Sequence, residues 1–348
     1  MVWEFGAGVV WAGGFREVPG LGLGLGLGFW GAWVWAGCEG FGRPQWTDRG
    51  DGVDSDILGT LAVREKGFSI APTAPKPRQV LALLVVQADQ MVPVGMLSEE
   101  LWGGRPPRSA RPTLQTYILQ LRELITAALE RDAADARTAK DVLLTVPGGY
   151  LLKSGGGGSD VREFERLAGL GYRAMDAADF PEAARQLRAA LALWSGPPLA
   201  DVHAGMHLAT QVKRLEESRL CALDQRIEAD LRLGRHRELL AELTVLVSRY
   251  PTHESLCGQY MLALYRSGRR GEALDAYQRL RATLVRSLGL EPSAALSKLQ
   301  RSILMARPDG SPAPAPAPAP APGSGSGSAR PGSTGSGPAG TGHLAPVG

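Results

Sequence analysis

The chain has 348 residues, of which 44% are hydrophobic and 21% are charged, and its formal net charge is +3. This length favours two domains, and this composition is typical of a globular protein with enough apolar side chains to form a core. The net charge is too small to indicate a nucleic-acid ligand by itself. Cys38, Cys221 and Cys257 lie far apart in the sequence, which argues against a disulfide framework and favours a reducing, cytoplasmic location.

Residues 1–52 are rich in glycine and tryptophan and do not resemble a folded domain. They contain the run LGLGLGLG and six of the eight tryptophans of the chain. Because glycine at this density opposes both helix and strand, we predict that the segment is disordered. A valine codon can start translation in bacteria, and Val53 stands just before the first orderly strand, so we expect the natural protein to begin there.

Between residues 53 and 153 the pattern predicts strands, then three helices, then a hairpin. Apolar alternation marks the strands, prolines open the first helix, and a Pro-Gly-Gly turn joins the arms of the hairpin. The predicted elements are strands at 57–63 and 68–70, helices at 78–88, 97–102 and 108–131, an extended link at 92–94, and hairpin arms at 141–146 and 150–153. This order is the layout of a winged helix-turn-helix, whose third helix enters the major groove of DNA while the hairpin, the wing, lies along the backbone.

The third of these helices is the most informative stretch of the chain. Its apolar residues recur at steps of three and four and therefore share one face. They are Leu114, Tyr117, Ile118, Leu121, Leu124, Ile125 and Ala128. The opposite face carries Arg111, Gln115, Thr116, Leu119, Gln120 and Arg122. Arg, Gln and Thr hydrogen-bond base edges and phosphates, which favours a DNA recognition helix, although periodicity alone also allows an ordinary surface helix.

The rest of the chain is predicted to be a flexible linker at 154–159 (SGGGGS), a helical domain at 160–307 and a disordered Pro/Ala/Gly/Ser tail at 308–348. Similar helix-start motifs recur within the helical domain near residues 181, 237 and 271. Glu238 and Glu272, in the second and third of these motifs, are 34 residues apart, which is the tetratricopeptide period. Stacked helix pairs of that kind form protein-binding surfaces. The predicted fold class is therefore mainly α with a small β part: an N-terminal winged helix-turn-helix followed by an all-α, tetratricopeptide-like domain.

The sequence does not favour an enzyme, a metal site or a membrane partner. His203 and His207 are four residues apart and could hold a metal on a helix, but Gly205 between them and the lack of a third nearby ligand argue against it. No G-x-x-x-x-G-K-[ST], H-E-x-x-H or G-x-S-x-G motif occurs. We therefore expect neither catalysis nor a cofactor.

Several motifs, which follow one another along the chain, resemble those of the Streptomyces antibiotic regulatory protein family. They begin with APKPRQVLALLVVQADQMVPVGMLSEELWGGRPPRSARPTLQTYILQLREL and LLTVPGGYLL. They continue with ADVHAGMHLATQVKRLEESRL, ALDQRIEADLRLGRH, the stretch Met261 to Arg281, and LGLEPSAAL. The resemblance covers roughly residues 56–307. It implies an OmpR-type winged helix at 53–153 followed by a bacterial transcriptional activation domain.

The resemblance also implies a function. Members of the family bind direct repeats in promoter DNA, usually as dimers, and recruit RNA polymerase holoenzyme to antibiotic-biosynthesis genes. We therefore expect a sequence-specific, DNA-binding transcriptional activator that is a homodimer on DNA. The alternative is a tetratricopeptide-type interaction adaptor whose winged helix no longer binds DNA.

Family roles can be placed on individual residues of this chain. Thr116 and Gln120, joined by Gln115, fall where OmpR-type helices contact bases, and Gln is suited to adenine. The phosphate-contact positions are Arg108, Arg111, Thr113 and Arg122. Tyr150 closes the wing, where packing of the hairpin onto the helix is at least as good an interpretation as DNA contact.

Two residues depart from the family pattern. Leu119 occupies an exposed position that is usually polar, and Val146 stands where many relatives have a wing arginine. Both departures put the usual DNA contacts at those positions in doubt and sustain the adaptor alternative.

Overall fold

The computed structural model describes residues 52–131 and 136–305. The disorder predicted for 1–52 and 308–348 lies outside the described residues, except at Gly52. That residue is buried, and a Cβ placed on it would lie 2.3 Å from the backbone oxygen of Ser154. Gly52 therefore already belongs to the packed part of the chain.

The described chain is mainly helical and contains two small antiparallel sheets. The strands are β1 (Val53–Asp56), β2 (Ala62–Glu65), β3 (Phe68–Ser69), β4 (Met91–Pro93), β5 (Leu143–Val146) and β6 (Gly149–Leu152). The helices of the N-terminal region are α1 (Pro75–Val86), α2 (Val94–Trp102), α3 (Ala110–Leu129) and α4 (Ala139–Val142). The helical region contains α5 (Asp160–Asp176), α6 (Phe180–Ala192), α7 (Met206–Arg232), α8 (His236–Arg249), α9 (Glu254–Arg266), α10 (Arg270–Leu288) and α11 (Ala294–Met305).

The first sheet corrects the strand that the sequence predicts at 57–63. The structure has β1 and β2 on either side of a loop, with β2 between β1 and β3. The loop bonds to the helical region instead of a strand, since Ser195 N donates to Leu58 O at 2.8 Å and Leu199 N donates to Ile57 O at 3.0 Å. The apolar alternation of this stretch arises because its side chains are buried under the helical region.

The second sheet confirms the predicted hairpin and extends it by one strand. Its order is β4-β6-β5, so the segment predicted as an extended link pairs with the hairpin, Val92 opposite Tyr150. The first hairpin arm begins at Leu143 rather than Asp141, because Asp141 lies in α4. There its carboxylate accepts a hydrogen bond from the backbone N–H of Thr138 at 2.8 Å and forms a capping box.

One hydrophobic core runs through both regions of the chain. It includes α1 residues such as Leu83 and Leu84, the buried side of α3, and Phe164 and Trp194 from the helical region. The rings of Phe164 and Trp194 meet edge to face with centroids 5.3 Å apart. The N-terminal region therefore does not have a core separate from that of α5–α7.

Glu100 makes the most unusual contact across this shared core. Its side chain is only 3% exposed, and its carboxylate accepts hydrogen bonds from the backbone N–H groups of Gly205, His207 and Leu208 at 2.5, 2.9 and 3.1 Å. These groups open α7, which has no side-chain cap of its own. A carboxylate at a helix N-terminus satisfies donors that the helix leaves unpaired and interacts favourably with the helix dipole. Gln79 Nε2 donates to Glu100 Oε1 at 3.1 Å and holds the carboxylate in place.

Two further carboxylates fix the loop between β1 and β2. Asp160, at the start of α5, accepts hydrogen bonds from the backbone N–H groups of Ile57 and Leu58, both at 2.7 Å. Asp201 accepts one from Leu61 N at 2.7 Å and forms an ion pair with Arg78 of α1. Each contact joins the N-terminal region to the helical region.

The connection at residues 154–159 is ordered by hydrogen bonds, which corrects the prediction that it is flexible. Val53 N donates to Ser154 O and Ser55 N donates to Gly158 O, both at 2.9 Å. The glycine-rich sequence therefore runs alongside β1. At Gly157 the lack of a side chain permits close backbone approach, because a Cβ there would lie 2.1 Å from the backbone oxygen of Val53 in β1.

The helical region has a second core between α7 and α11, with Leu243, Met261, Leu264 and Ala273 at its centre. Consecutive helices pack as neighbours, α5 on α6, α6 on α7, α8 on α9 and α9 on α10. The helix starts predicted near residues 181, 237 and 271 coincide with α6, α8 and α10. The tetratricopeptide assignment itself stays a prediction.

We predict that Glu100→Ala lowers the free energy of unfolding by about 2–4 kcal/mol, because three backbone N–H groups at the start of α7, one buried and two partly buried, lose their acceptor. Glu99→Ala is the matched control. The carboxylate of Glu99 is 57% exposed and pairs with His207 at the surface, so its loss should cost less than about 1 kcal/mol. Urea unfolding of the full chain measures both values. Equal destabilisation by the two variants would contradict the capping role.

A second prediction concerns pH. Burial raises the pKa of the Asp160 carboxyl to about 7 from 3.8. The charge of Asp56 acts in the same direction, whereas the backbone N–H donors Leu58, Ile57 and Val161 act against it. Between about pH 4 and pH 7, the folded chain holds a proton that the unfolded chain has released. The stabilisation from this group is therefore complete below that window and lost as the pH rises through it.

The Asp160→Asn variant removes this titration and serves as the reference. The free energy of unfolding of the natural chain, minus that of the variant, should fall as the pH rises to about 7 and then level off. Urea titrations of both chains at successive pH values measure this difference. A difference that stays constant across the window would show that Asp160 does not titrate there.

Candidate nucleic-acid interface

The two sides of α3 differ sharply in exposure. The buried side packs into the shared core and consists of Leu114, Ile118, Leu121, Ile125, Ala128 and Leu129. The outer side is exposed at Arg111, Gln115, Thr116, Leu119, Gln120 and Glu123. Because the apolar side anchors the helix on α1 and α2, the polar side is held rigidly toward solvent.

The three predicted base-contact residues lie together on this outer side. The side chains of Gln115 and Gln120 make no hydrogen bond within residues 52–131 and 136–305, so their amides are available to a ligand. The hydroxyl of Thr116 donates to Pro112 O at 3.1 Å, one turn earlier in the helix, and its lone pairs can still accept.

Basic side chains surround the N-terminus of α3. Arg105 and Arg108 lie exposed in the loop before the helix, and Arg111 lies in its first turn. Among the described residues none of the three forms an ion pair, and the first turn of α3 contains no acidic residue. An anion approaching here meets three cations and the positive end of the helix dipole. Arg105 is absent from the predicted set, although its place in the Gly-Gly-Arg-Pro-Pro loop indicates exposure.

Thr113, a predicted phosphate contact, is half-buried beside these arginines. Its backbone N–H donates to Ser109 O at 2.9 Å in the first turn of the helix. The residue is therefore near the basic cluster, but only part of its side chain reaches solvent.

Arg122 and Tyr150 are used to hold the hairpin. The guanidinium of Arg122 donates to Leu143 O at 3.1 and 2.8 Å and to the hydroxyl of Thr145 at 2.8 Å. Tyr150 is 8% exposed and belongs to the core, which favours the packing interpretation over DNA contact. Arg122 thus joins α3 to the hairpin, and the phosphate contact expected of it stays a prediction.

The outer side of α3 also contains two residues that lie outside the predicted contact set. Leu119 is 57% exposed although it is large and apolar. Glu123 is exposed one turn further along the helix and could accept a hydrogen bond from a base amino group. Leu119 and Glu123 are four residues apart, and this spacing in the sequence already predicts that they lie on the same face of the helix.

The two histidines considered as metal ligands lie before and at the start of α7. His203 is exposed in the preceding loop, and the Nε2 atom of His207 lies 3.1 Å from Glu99 Oε2. Among the helices that the structure describes, none is long and apolar enough to cross a lipid bilayer.

Comparison with known families identifies the helical region. Residues 159–304 match the bacterial transcriptional activator domain. A solved structure of EmbR from Mycobacterium tuberculosis, in complex with a low-affinity phosphopeptide, is similar at a TM-score of 0.65 and 32% identity. The match covers 72% of this chain and 65% of the EmbR chain, so the similarity extends over just under two thirds of that protein.

Two regulators from Streptomyces are similar in sequence. The regulatory protein DnrI of Streptomyces peucetius is 53% identical over 253 residues, which cover 73% of this chain and 92% of DnrI. The regulatory protein AfsR of Streptomyces coelicolor is 36% identical over 253 residues, 72% of this chain but only 24% of AfsR. Together with the activator-domain match, these similarities show that the chain is a transcriptional regulator that belongs to the Streptomyces antibiotic regulatory protein family.

Proposed function

We propose that the chain is a sequence-specific DNA-binding activator of antibiotic-biosynthesis genes and acts in the cytoplasm. The observation that carries the proposal is the outer side of α3, where free glutamine amides adjoin unpaired arginines on a helix anchored by its opposite side. In this proposal α3 is the recognition helix of a winged helix, it lies in the major groove, and the hairpin of β5 and β6 is the wing.

In this proposal, residues in the middle of α3 contact the bases. Gln115 and Gln120 each present an amide that can pair with the N6 and N7 atoms of adenine, and Thr116 presents a hydroxyl to either strand. Because neither amide has a partner among the described residues, binding need not break an internal hydrogen bond.

Residues at the start of α3 are proposed to bind the DNA phosphates. Arg108, Arg111 and Thr113 flank the N-terminus of α3, and we add Arg105 from the preceding loop. Cations at this end of a recognition helix fix its position on the duplex without reading sequence. The hairpin contains no lysine or arginine between Leu143 and Leu152, so the basic cluster is expected to supply more of the phosphate affinity than the wing does.

The helical region is proposed to bind RNA polymerase holoenzyme, and two copies of the chain are proposed to occupy direct repeats in the promoter. The activator-domain match and the similarity to named regulators support this assignment. In the alternative, an interaction adaptor, the helical region would act alone and the outer side of α3 would have no ligand.

We predict that Arg111→Ala weakens binding to promoter DNA and reduces the slope of log affinity against log salt by about one unit, because one phosphate contact is lost. Binding is measured by fluorescence anisotropy at several salt concentrations, with fragments upstream of the biosynthetic genes that neighbour the coding sequence. Arg237→Ala is the matched control, since Arg237 is also exposed but lies on α8.

The control should leave both the affinity and the slope unchanged. If Arg111→Ala also leaves them unchanged, the phosphate role of the basic cluster is wrong. If the natural chain binds these fragments no better than random DNA, the adaptor alternative gains weight.

A further inference from the structure

Leu119 is an exposed apolar side chain in the middle of an otherwise polar surface. It is 57% exposed, whereas the other leucines of α3 lie in or against the core. With about 100° between successive helix residues, Leu119 lies between Gln115, one turn before it, and Glu123, one turn after it. Its isobutyl group therefore sits among the residues proposed to read bases rather than at the edge of the helix.

The chemistry of the major groove restricts what such a side chain can contact. Base edges there present hydrogen-bond donors and acceptors, and the C5-methyl group of thymine is the apolar exception. An amino or carbonyl group facing Leu119 would lose its water without gaining a partner, which costs free energy. A thymine methyl would instead bury apolar area on both sides.

We propose that Leu119 reads the C5-methyl group of a thymine in the DNA site. This inference rests on the proposed DNA-binding function and adds a base preference to it: a thymine next to the adenines contacted by Gln115 or Gln120. Relatives usually have a polar residue at this position. In this proposal, Leu119 gives the chain a different base preference and does not abolish DNA binding.

Uracil tests the proposal, because a deoxyuridine differs from thymidine in the duplex only by the missing methyl group. A binding site is first selected from a random duplex library with the full chain, and each thymine of the site is then replaced singly by deoxyuridine. We expect one thymine per half-site at which replacement weakens binding about three- to fivefold, the effect of losing one buried methyl.

Variants of the protein then test whether the sensitive methyl group contacts Leu119. Leu119→Ala should bind the thymine site about three- to fivefold more weakly and should show no further loss on deoxyuridine at the same position. Leu288→Ala, whose side chain is also 57% exposed but lies at the end of α10, should behave as the natural chain does on both DNAs. Circular dichroism checks that both variants are folded.

Three results are informative in different ways. If no thymine methyl affects binding, or if Leu119→Ala keeps the full sensitivity to deoxyuridine, the proposal is overturned while DNA binding stands. In that case Leu119 is left to contact protein or solvent. If the library yields no preferred sequence, the proposed DNA-reading function fails and the Leu119 contact fails with it.

Discussion

The capping of α7 by Glu100 is the contact on which the arrangement of the described chain depends most. If this buried carboxylate moved away from α7, it would lose the three backbone N–H donors that it accepts from, and the buried N–H group of Leu208 would lose its acceptor. Gly205 permits this approach, since a Cβ there would lie 2.2 Å from the backbone oxygen of Glu100. Because α2 carries Glu100 and also packs against α3, the same contact fixes α3 relative to the helical region.

This constraint divides the work among the residues of α3. The apolar side, with Leu114 and Ile118, belongs to the shared core, and Arg122 uses its guanidinium to hold the hairpin. The outer side does not contribute to this packing. Its polar groups can therefore bind a ligand without breaking contacts that stabilise the fold. A helix held in this way keeps the positions of its outward-facing residues fixed before a ligand binds, which favours specific over adaptable recognition.

Much of the N-terminal region could be predicted because its signals are local. The period of α3, the prolines that open α1 and the turn at Pro147 each act within a few residues, and the structure has the elements they predict. The loop at 57–61 could not be predicted, since its backbone bonds to Asp160 and Asp201, more than 100 residues away. For the same reason SGGGGS has the composition of a flexible linker but runs beside β1, and the roles of Glu100 and Arg122 appear only once distant elements meet.

Sequence-specific binding of promoter DNA by the outer side of α3 is tested most directly by a competition measurement. Labelled promoter DNA bound to the full chain is displaced by unlabelled promoter DNA or by random DNA of the same length, at two salt concentrations. We predict that promoter DNA competes at least 1,000-fold better, on the order of the known ratio of specific to non-specific binding, and that affinity for both falls as salt increases. Equal competition by the two DNAs would contradict sequence-specific binding and would show that α3 does not read promoter sequence.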